Sequence, residues 1–348
     1  MAAHFSHADY IVTQALEQGA FTSASLLIGM GDKVLFRRAY GCVSPNGRMT
    51  NEHTLYDLAS LTKPLVVGML TLRAMESGKL CLWDKLGSFI NAPADKKDIS
   101  IRQILTHTAG FATGVHLWET CQTPEASAEA LLKTPLAAPP GSRVQYCCSG
   151  FILLGQLLEC LYGIPLGDLA TQEVFWPLKM TKTGYLPKGD NIAATETLEN
   201  GECLQGVVHD ENARFLGGTA GNAGVFSTMD DMALFMQMLM ANGTLPDGTR
   251  YLSPATIRLA THNHTEGMTQ ARGLSFMLPW FDDGYTGDLF PKETIGHTGF
   301  TGTSFTLDPT TGLFVIFLSN RICPTRSNMA IYRIRRLLHN VIYAAGNR

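Results

Sequence analysis

Apolar positions Val12, Ala15 and Leu16 recur at helical spacing and stop at Gly19, so residues 8–18 predict an amphipathic helix. Behind it, residues 25–30 and 33–40 flank Gly31-Asp32, a two-residue turn of the kind that closes an antiparallel hairpin. From 60 to 76 the apolar positions 61, 65, 69, 72 and 75 keep a 3.6-residue period and Gly78 ends the run, which predicts one long helix. Pro64 lies in its first turn, where a proline costs little.

The middle of the chain is broken up by prolines 124, 135, 139, 140, 165, 177 and 187. Between them, 101–108 opens with a Ser100/Gln103 capping box, and 151–161 ends at Gly163, so this stretch reads as short helices and loops. After the Gly-rich GGTAGNAG (217–224), a helix is predicted over 230–240, capped by Ser227 or Thr228 and closed by Asn242-Gly243. Residues 294–299, 301–307 and 313–319 alternate or run apolar, with Asp308-Pro309 and Gly312 as turn residues, and predict an antiparallel sheet. A basic amphipathic helix over 328–344 closes the chain. With β elements at both ends and helices between, the economical fold is α/β (α+β). Residues 1–80 and 225–348 build one antiparallel sheet flanked by helices, and 81–224 form an inserted, mostly helical domain.

Composition agrees with two units: 348 residues at ~150 per domain make about two. Charged residues are 16% of the chain, against about 25% in an average soluble domain, and this excludes disorder and coiled coil. A net charge of −3 without a basic run excludes the electrostatic footprint of a nucleic-acid binder. The start, MAAHFSHADYIVTQALEQ, has no apolar signal region, and apolar runs such as 313–318 are too short to span a bilayer. The expectation is a soluble, cytoplasmic protein with no membrane partner. Eight cysteines without CxxC spacing are expected to be free buried thiols.

Chemistry enters at Ser60-Leu61-Thr62-Lys63, which puts a hydroxyl and an amine three apart at a helix start, on one face. A serine hydroxyl is inert at its free pKa, and an amine desolvated enough to be neutral can take its proton. The helix N-terminus adds N–H groups that favour developing negative charge. S-x-x-K alone is a weak signal that an N-cap serine with an exposed lysine would also give. Two more segments join it: Tyr146-Cys147-Cys148 before a helix, and His297-Thr298-Gly299 on a predicted strand.

In this order the three segments resemble the serine β-lactamase and penicillin-binding-protein superfamily, in its class C and esterase-like branch, with S-x-x-K, then Tyr-x-Asn/Asp, then Lys/His-Thr-Gly. The flanking text agrees over residues 20–320: YDLASLTKP (56–64), LTHTAGF (105–111), GSRVQYCCSGFILLG (141–155), VHDENARFLGGTAGNAGVFST (208–228) and GHTGFTGTSFTLDPTTGLFVIFLSNR (296–321). The resemblance implies a β-lactamase-like fold and an acyl-enzyme mechanism on an ester, amide or peptide, with no metal and no cofactor. Ser60 is then the nucleophile, and Lys63 and Tyr146 jointly take its proton, which requires the Tyr146 phenol to be lowered by nearby positive charge. The oxyanion hole is the backbone N–H of Ser60 and of Phe300, and Asp210 and Asn212 border the pocket.

Two positions depart from the lactamase pattern. Cys148 replaces the usual Asn or Asp, and a thiol cannot supply the two-sided hydrogen bonding of an amide. His297 replaces Lys and, being mostly neutral at pH 7, is a weaker carboxylate anchor. Both favour an esterase or amidase over a true β-lactamase. The alternatives are a D-amino-acid peptidase or carboxypeptidase, an acyltransferase, or a non-catalytic binding protein on this fold. Cys147-Cys148 reads as small core residues rather than a redox pair. His262-Asn263-His264 and His209-Asp210 lack a third metal ligand and read as solvated loops. No Gly-x-Ser-x-Gly elbow is present, and GGTAGNAG reads as a tight turn where backbones approach closely, at the pocket rim.

Overall fold

The computed structural model describes residues 2–279 and 285–346, with side chains from residue 4. Strands β1 (Ser23–Met30) and β2 (Lys33–Gly41) form the N-terminal hairpin. Short strands β3 (Tyr56–Asp57), β4 (Gly184–Tyr185) and β5 (Val225–Ser227) follow, then β6 (Ile295–Thr298), β7 (Ser304–Leu307) and β8 (Leu313–Ser319). The main sheet is antiparallel in the order β2-β1-β8-β7-β6, so both chain ends share it.

Successive side chains of a strand point to opposite faces, and in β8 both faces are buried. Leu313, Val315 and Phe317 pack with β1 residues Leu26 and Ile28 and with the two terminal helices, Ser6–Glu17 and Ala330–Gly346. Phe314, Ile316 and Leu318 pack on the other face, in the large core that continues into the helical middle. A strand covered on both sides reads as a continuous apolar run, which is why 313–318 shows no alternation.

The predicted elements form, with four differences. The helix expected over 60–76 is a 3₁₀ turn (Ala59–Leu61), a π-helical stretch (Lys63–Gly68) and an α-helix (Met69–Glu76). Pro64 has no N–H to give Ser60 C=O, so the α pattern cannot begin there. The helix with the Ser100/Gln103 capping box stops at Leu105, since His107 sits at φ 57°. The strand expected over 301–307 begins only at Ser304, because residues 299–303 make a tight turn. Lastly, the helical middle contributes β4, which pairs with β5 in the three-stranded sheet β3-β5-β4. Among the described residues, no single helix is long and apolar enough to cross a membrane.

Candidate active site

Ser60 follows directly on a forced bend. Ala59 takes φ 47°, a left-handed conformation costly for a residue with a Cβ. Buried Asp57 holds it there: Oδ1 accepts from Ala59 N (2.8 Å) and Oδ2 from His209 N (2.7 Å). The turn after β6 grips the same segment. Thr301 Oγ1 donates to Asp57 O (2.7 Å) and Thr303 Oγ1 to Leu58 O (3.0 Å). Gly299 is required in that turn, because a Cβ there would stand 2.6 Å from Leu58 O and closer still to Thr303 Oγ1. The serine and the His-Thr-Gly segment are thereby one rigid unit. Among the described residues, the backbone N–H groups of Ser60 and Phe300 donate to no acceptor, as an oxyanion hole requires.

Lys63 lies one turn on and is fully buried. Its Nζ donates to Ser60 Oγ (3.1 Å), Asn222 O (3.0 Å) and Cys148 Sγ (3.5 Å), and stands 4.9 Å from the centroid of the Tyr146 ring. Burial pushes the ammonium down, but Cys148, Tyr146 and Asp210 outweigh it and hold Lys63 above its ordinary value. The resting lysine is therefore a cation, which corrects the expectation of a neutral amine.

Tyr146 packs against His107, with ring centroids 4.5 Å apart and the rings tilted by 38°, and its Oη is buried without a hydrogen-bond partner. Burial pushes its phenol up; the Lys63 ammonium pulls it down but does not win. The lowered phenol expected from the resemblance is not the resting state, because desolvation exceeds the attraction of one neighbouring cation.

His297 is buried, and its Nδ1 lies 2.8 Å from Thr298 O, so Nδ1 carries the proton and Nε2 is a bare acceptor with no partner. Burial, then Lys63 and Arg272, push the ring down to about 3. It is neutral at pH 7, as expected, and offers a lone pair rather than a charge.

These groups share one cavity of about 540 Å³, with Ser60, Tyr146, Cys148, His297, Thr298, Gly299 and Phe300 all in its wall. Asp210 lines it as well, while Asn212 borders a smaller recess beside Tyr146 and Cys148. His209 is a correction: it is buried, stacked 5.5 Å from the Phe300 ring, with Nε2 2.9 Å from Glu196 Oε2. His264 is also held, its Nε2 2.7 Å from Leu259 O and its Nδ1 accepting from Arg102 Nε. The glycine-rich turn does bring backbones together, and it presents Asn222 O to Lys63. All eight cysteines are free, but only Cys147 and Cys323 are buried; Cys81 and Cys160 are exposed. Burial pushes the Cys147 thiol up to about 11, which makes it inert.

Three residues that support the site were given no role by the sequence, although His107 lies in LTHTAGF (105–111) and Arg321 ends the 296–321 segment. His107 supports the Tyr146 ring and accepts from Cys147 N (3.3 Å). Arg272 is buried, with its guanidinium 5.8 Å from the Tyr146 ring centroid. Arg321 donates from Nε to Phe300 O (2.8 Å) and stacks 4.6 Å over the Phe300 ring, fixing the peptide whose N–H faces the cavity. Each is brought in from a distant stretch of chain.

Fold and sequence together are those of a serine hydrolase of the β-lactamase and penicillin-binding-protein kind. The profile of the family described as Beta-lactamase matches residues 8–339, and the chain belongs to that family. It is 30% identical, over 90% of its length and 81% of the relative's, to a protein of Escherichia coli (strain K12) named "Putative D-alanyl-D-alanine carboxypeptidase". Among solved structures it resembles EstCE1, described as a hydrolase with promiscuous acyltransferase activity, at TM-score 0.80 and 23% identity, covering 98% of this chain and 99% of that one. A penicillin-binding protein homologue from Caulobacter crescentus superposes at TM-score 0.76 and 20% identity, covering 98% and 97%.

Proposed function

We propose that this enzyme carries a small ester or amide acyl group on Ser60 and hands it to water or to an acceptor nucleophile. The observation that carries the reading is the 3.1 Å approach of buried Lys63 Nζ to Ser60 Oγ, at the wall of a cavity lined by Ser60, Tyr146 and the His297-Thr298-Gly299 strand end. Once the Lys63–Tyr146 pair has given one proton to solvent, Ser60 Oγ attacks the acyl carbon, its proton passes to the pair, and the pair returns a proton to the leaving group. The N–H groups of Ser60 and Phe300 receive the oxyanion. Water repeats the sequence in reverse to free the acid. The cavity draws on both proposed domains: Ser60 and His297 from 1–80 and 225–348, Tyr146, Cys148 and Asp210 from 81–224.

Cys148 in place of an amide, and a neutral His297 in place of a cation, favour ester or simple amide turnover over β-lactam turnover. The test is hydrolysis of a short-chain nitrophenyl ester by wild type and Ser60→Ala; equal rates overturn the assignment. Fast turnover of a chromogenic cephalosporin overturns the specificity. A D-amino-acid carboxypeptidase is the second reading. It is supported by the name of the E. coli relative and by Arg272, a buried cation in the cavity wall suited to a terminal carboxylate. Release of D-alanine from an acyl-D-Ala-D-Ala peptide decides it.

A further inference from the structure

Cys148 stands where the resemblance has Asn or Asp, and no step above makes or breaks a bond at its sulfur. The chain turns here into the Ser149–Tyr162 helix, with Cys148 O accepting from Phe151 N and Ile152 N (both 3.0 Å), so the residue is held by its backbone and its side chain is left for other work. Sγ accepts from Lys63 Nζ (3.5 Å). The side chain is half-buried and borders two spaces at once: the cavity of about 540 Å³ that holds Ser60, and a recess of about 250 Å³ that reaches His116 and Trp118. The same cavity carries an unmet demand, since His297 Nε2 is a bare acceptor without a partner on a ring 1% exposed. A guest with an amide N–H can meet it.

A thiol attacks a disulfide as its thiolate, and a fixed ammonium beside an accessible sulfur is the setting in which cysteines do so. The other cysteines lack one or both conditions. Cys147 and Cys323 are buried, and burial pushes each thiol up to about 11. Cys81 is exposed, but its sulfur donates to the Asp84 carboxylate (3.0 Å), so its neighbour is an anion. Cys42 faces Met49 Sδ, and Cys121 and Cys203 face threonine hydroxyls. Among the described residues, Cys148 is the one cysteine whose sulfur accepts from a cation.

We propose that Cys148 is a modification site, at which a low-molecular-weight peptide disulfide exchanges with the thiol and reversibly closes the Ser60 cavity. Cys148 gives its proton to solvent, and the thiolate attacks one sulfur of the disulfide. The new S–S bond forms at Cys148 as the old one breaks, and the bonding pair leaves on the departing thiolate, which takes a proton from solvent. Cys148 is oxidised, half of the reagent is reduced, and nothing else is consumed. The attached half then fills space beside Ser60 and Tyr146 and shuts substrate out. The loss of activity rests on the acyl-enzyme reading; the adduct does not.

Oxidised glutathione at neutral pH is the probe, with adducts mapped by peptide mass spectrometry and nitrophenyl ester hydrolysis followed in parallel. The Cys148 peptide is expected to gain the glutathionyl group at least about fivefold faster than those of the more exposed Cys81 and Cys160. Hydrolysis should fall in step with Cys148 occupancy, and dithiothreitol should restore both. Cys148→Ser, compared with its own untreated rate, should lose nothing on treatment. Lys63→Met should slow labelling of Cys148 about tenfold and Lys63→Arg should keep most of it, a dependence that a thiol reacting through exposure alone does not show. Labelling of Cys148 no faster than of Cys81 and Cys160, or full occupancy with hydrolysis intact, overturns the site. If the untreated protein hydrolyses no ester, the acyl-enzyme reading fails instead. The labelling order in Ser60→Ala, with its dependence on Lys63, then still decides the modification site.

Discussion

Gly221 is the point where one methyl group should disable both packing and chemistry. A Cβ built there lies 3.0 Å from Phe151 C and from Val67 Cγ2, and closer still to Phe151 O, which belongs to the backbone of the Ser149–Tyr162 helix and cannot retreat. One side has to move by roughly 1 Å to regain contacts of ~3.5 Å. The side that moves is the turn carrying Asn222, whose carbonyl accepts from Lys63 Nζ at 3.0 Å. Gly221→Ala therefore adds overpacking of about 1–3 kcal/mol to the loss of a hydrogen bond from a buried cation, about 1.5–3 kcal/mol. A total of about 2.5–6 kcal/mol, for a chain of this size, lowers Tm by about 3–8 °C. Displacing Lys63 from Ser60 costs kcat on a nitrophenyl ester about 10²-fold. Gly217→Ala is the control: φ is 80° but no atom lies within 4 Å of its Cβ, so it should cost about 1 kcal/mol and leave kcat unchanged. Calorimetry and steady-state kinetics on the two variants read both quantities. A Gly221→Ala protein with wild-type Tm and kcat would refute the close-approach argument.

Two further outcomes follow from the electrostatics. Since Lys63 and Tyr146 are both raised and both hold their protons at rest, one must leave before Ser60 can be deprotonated. For a neutral ester, kcat/KM should rise about tenfold per pH unit from pH 7 towards the alkaline side, and a flat profile over pH 6–9 contradicts this. Stability should fall in acid, because His107, His297 and His339 are fully buried and pushed down by burial, to about 3 for His297 and about 4 for His339. A histidine lowered on folding leaves stability intact above the unfolded value of about 6.5 and takes it away as pH drops below it, because the unfolded chain binds the proton first. Three such groups give a slope approaching about 4 kcal/mol per pH unit between pH 6 and 5. Urea midpoints at pH 7, 6 and 5 that do not change would refute it.

What the sequence disclosed, and what it hid, divides along a physical line. Elements stabilised locally were legible: the capping box at Ser100, the hairpin at Gly31-Asp32, the Thr228 cap and the Gly163 stop all rest on contacts within a few residues. Ser60, Lys63, Tyr146 and His297 were legible as candidates because the order of motifs is itself a pattern. The π-helical stretch, the Ala59 bend and the turn at 299–303 were not: the first follows from the missing N–H of Pro64, and the other two are clamped together across the chain by Thr301 Oγ1 on Asp57 O and Thr303 Oγ1 on Leu58 O. The roles of Arg272, Arg321 and His107 were hidden, because their positions around the site are set by long-range packing. The charge states were least legible: which way Lys63 moves is set by burial against Cys148, Tyr146 and Asp210, which the fold brings to one ammonium.

The histidine at 297 ties these threads together. The resemblance allows Lys or His there, and the choice decides how many cations surround Lys63. A second ammonium would repel the first: at about 6–8 Å and an effective dielectric near 20, two unit charges cost each other about 2–3 kcal/mol, or roughly 1.5–2 pKa units. With His297 neutral that repulsion is missing, and Lys63 keeps its proton. His297→Lys should therefore move the alkaline limb of kcat/KM towards lower pH by about 1–2 units, since a like charge lowers the pKa of Lys63. His297→Gln, which adds no charge, should leave the limb where it is. Matched pH profiles of the two variants on a neutral ester, with folding checked by circular dichroism, separate charge from shape. A limb that stays within about 0.3 unit in His297→Lys would show that the proton lost on activation is not governed by the Lys63 ammonium. The assignment of general base would then have to be argued from Tyr146 and His297 Nε2 instead.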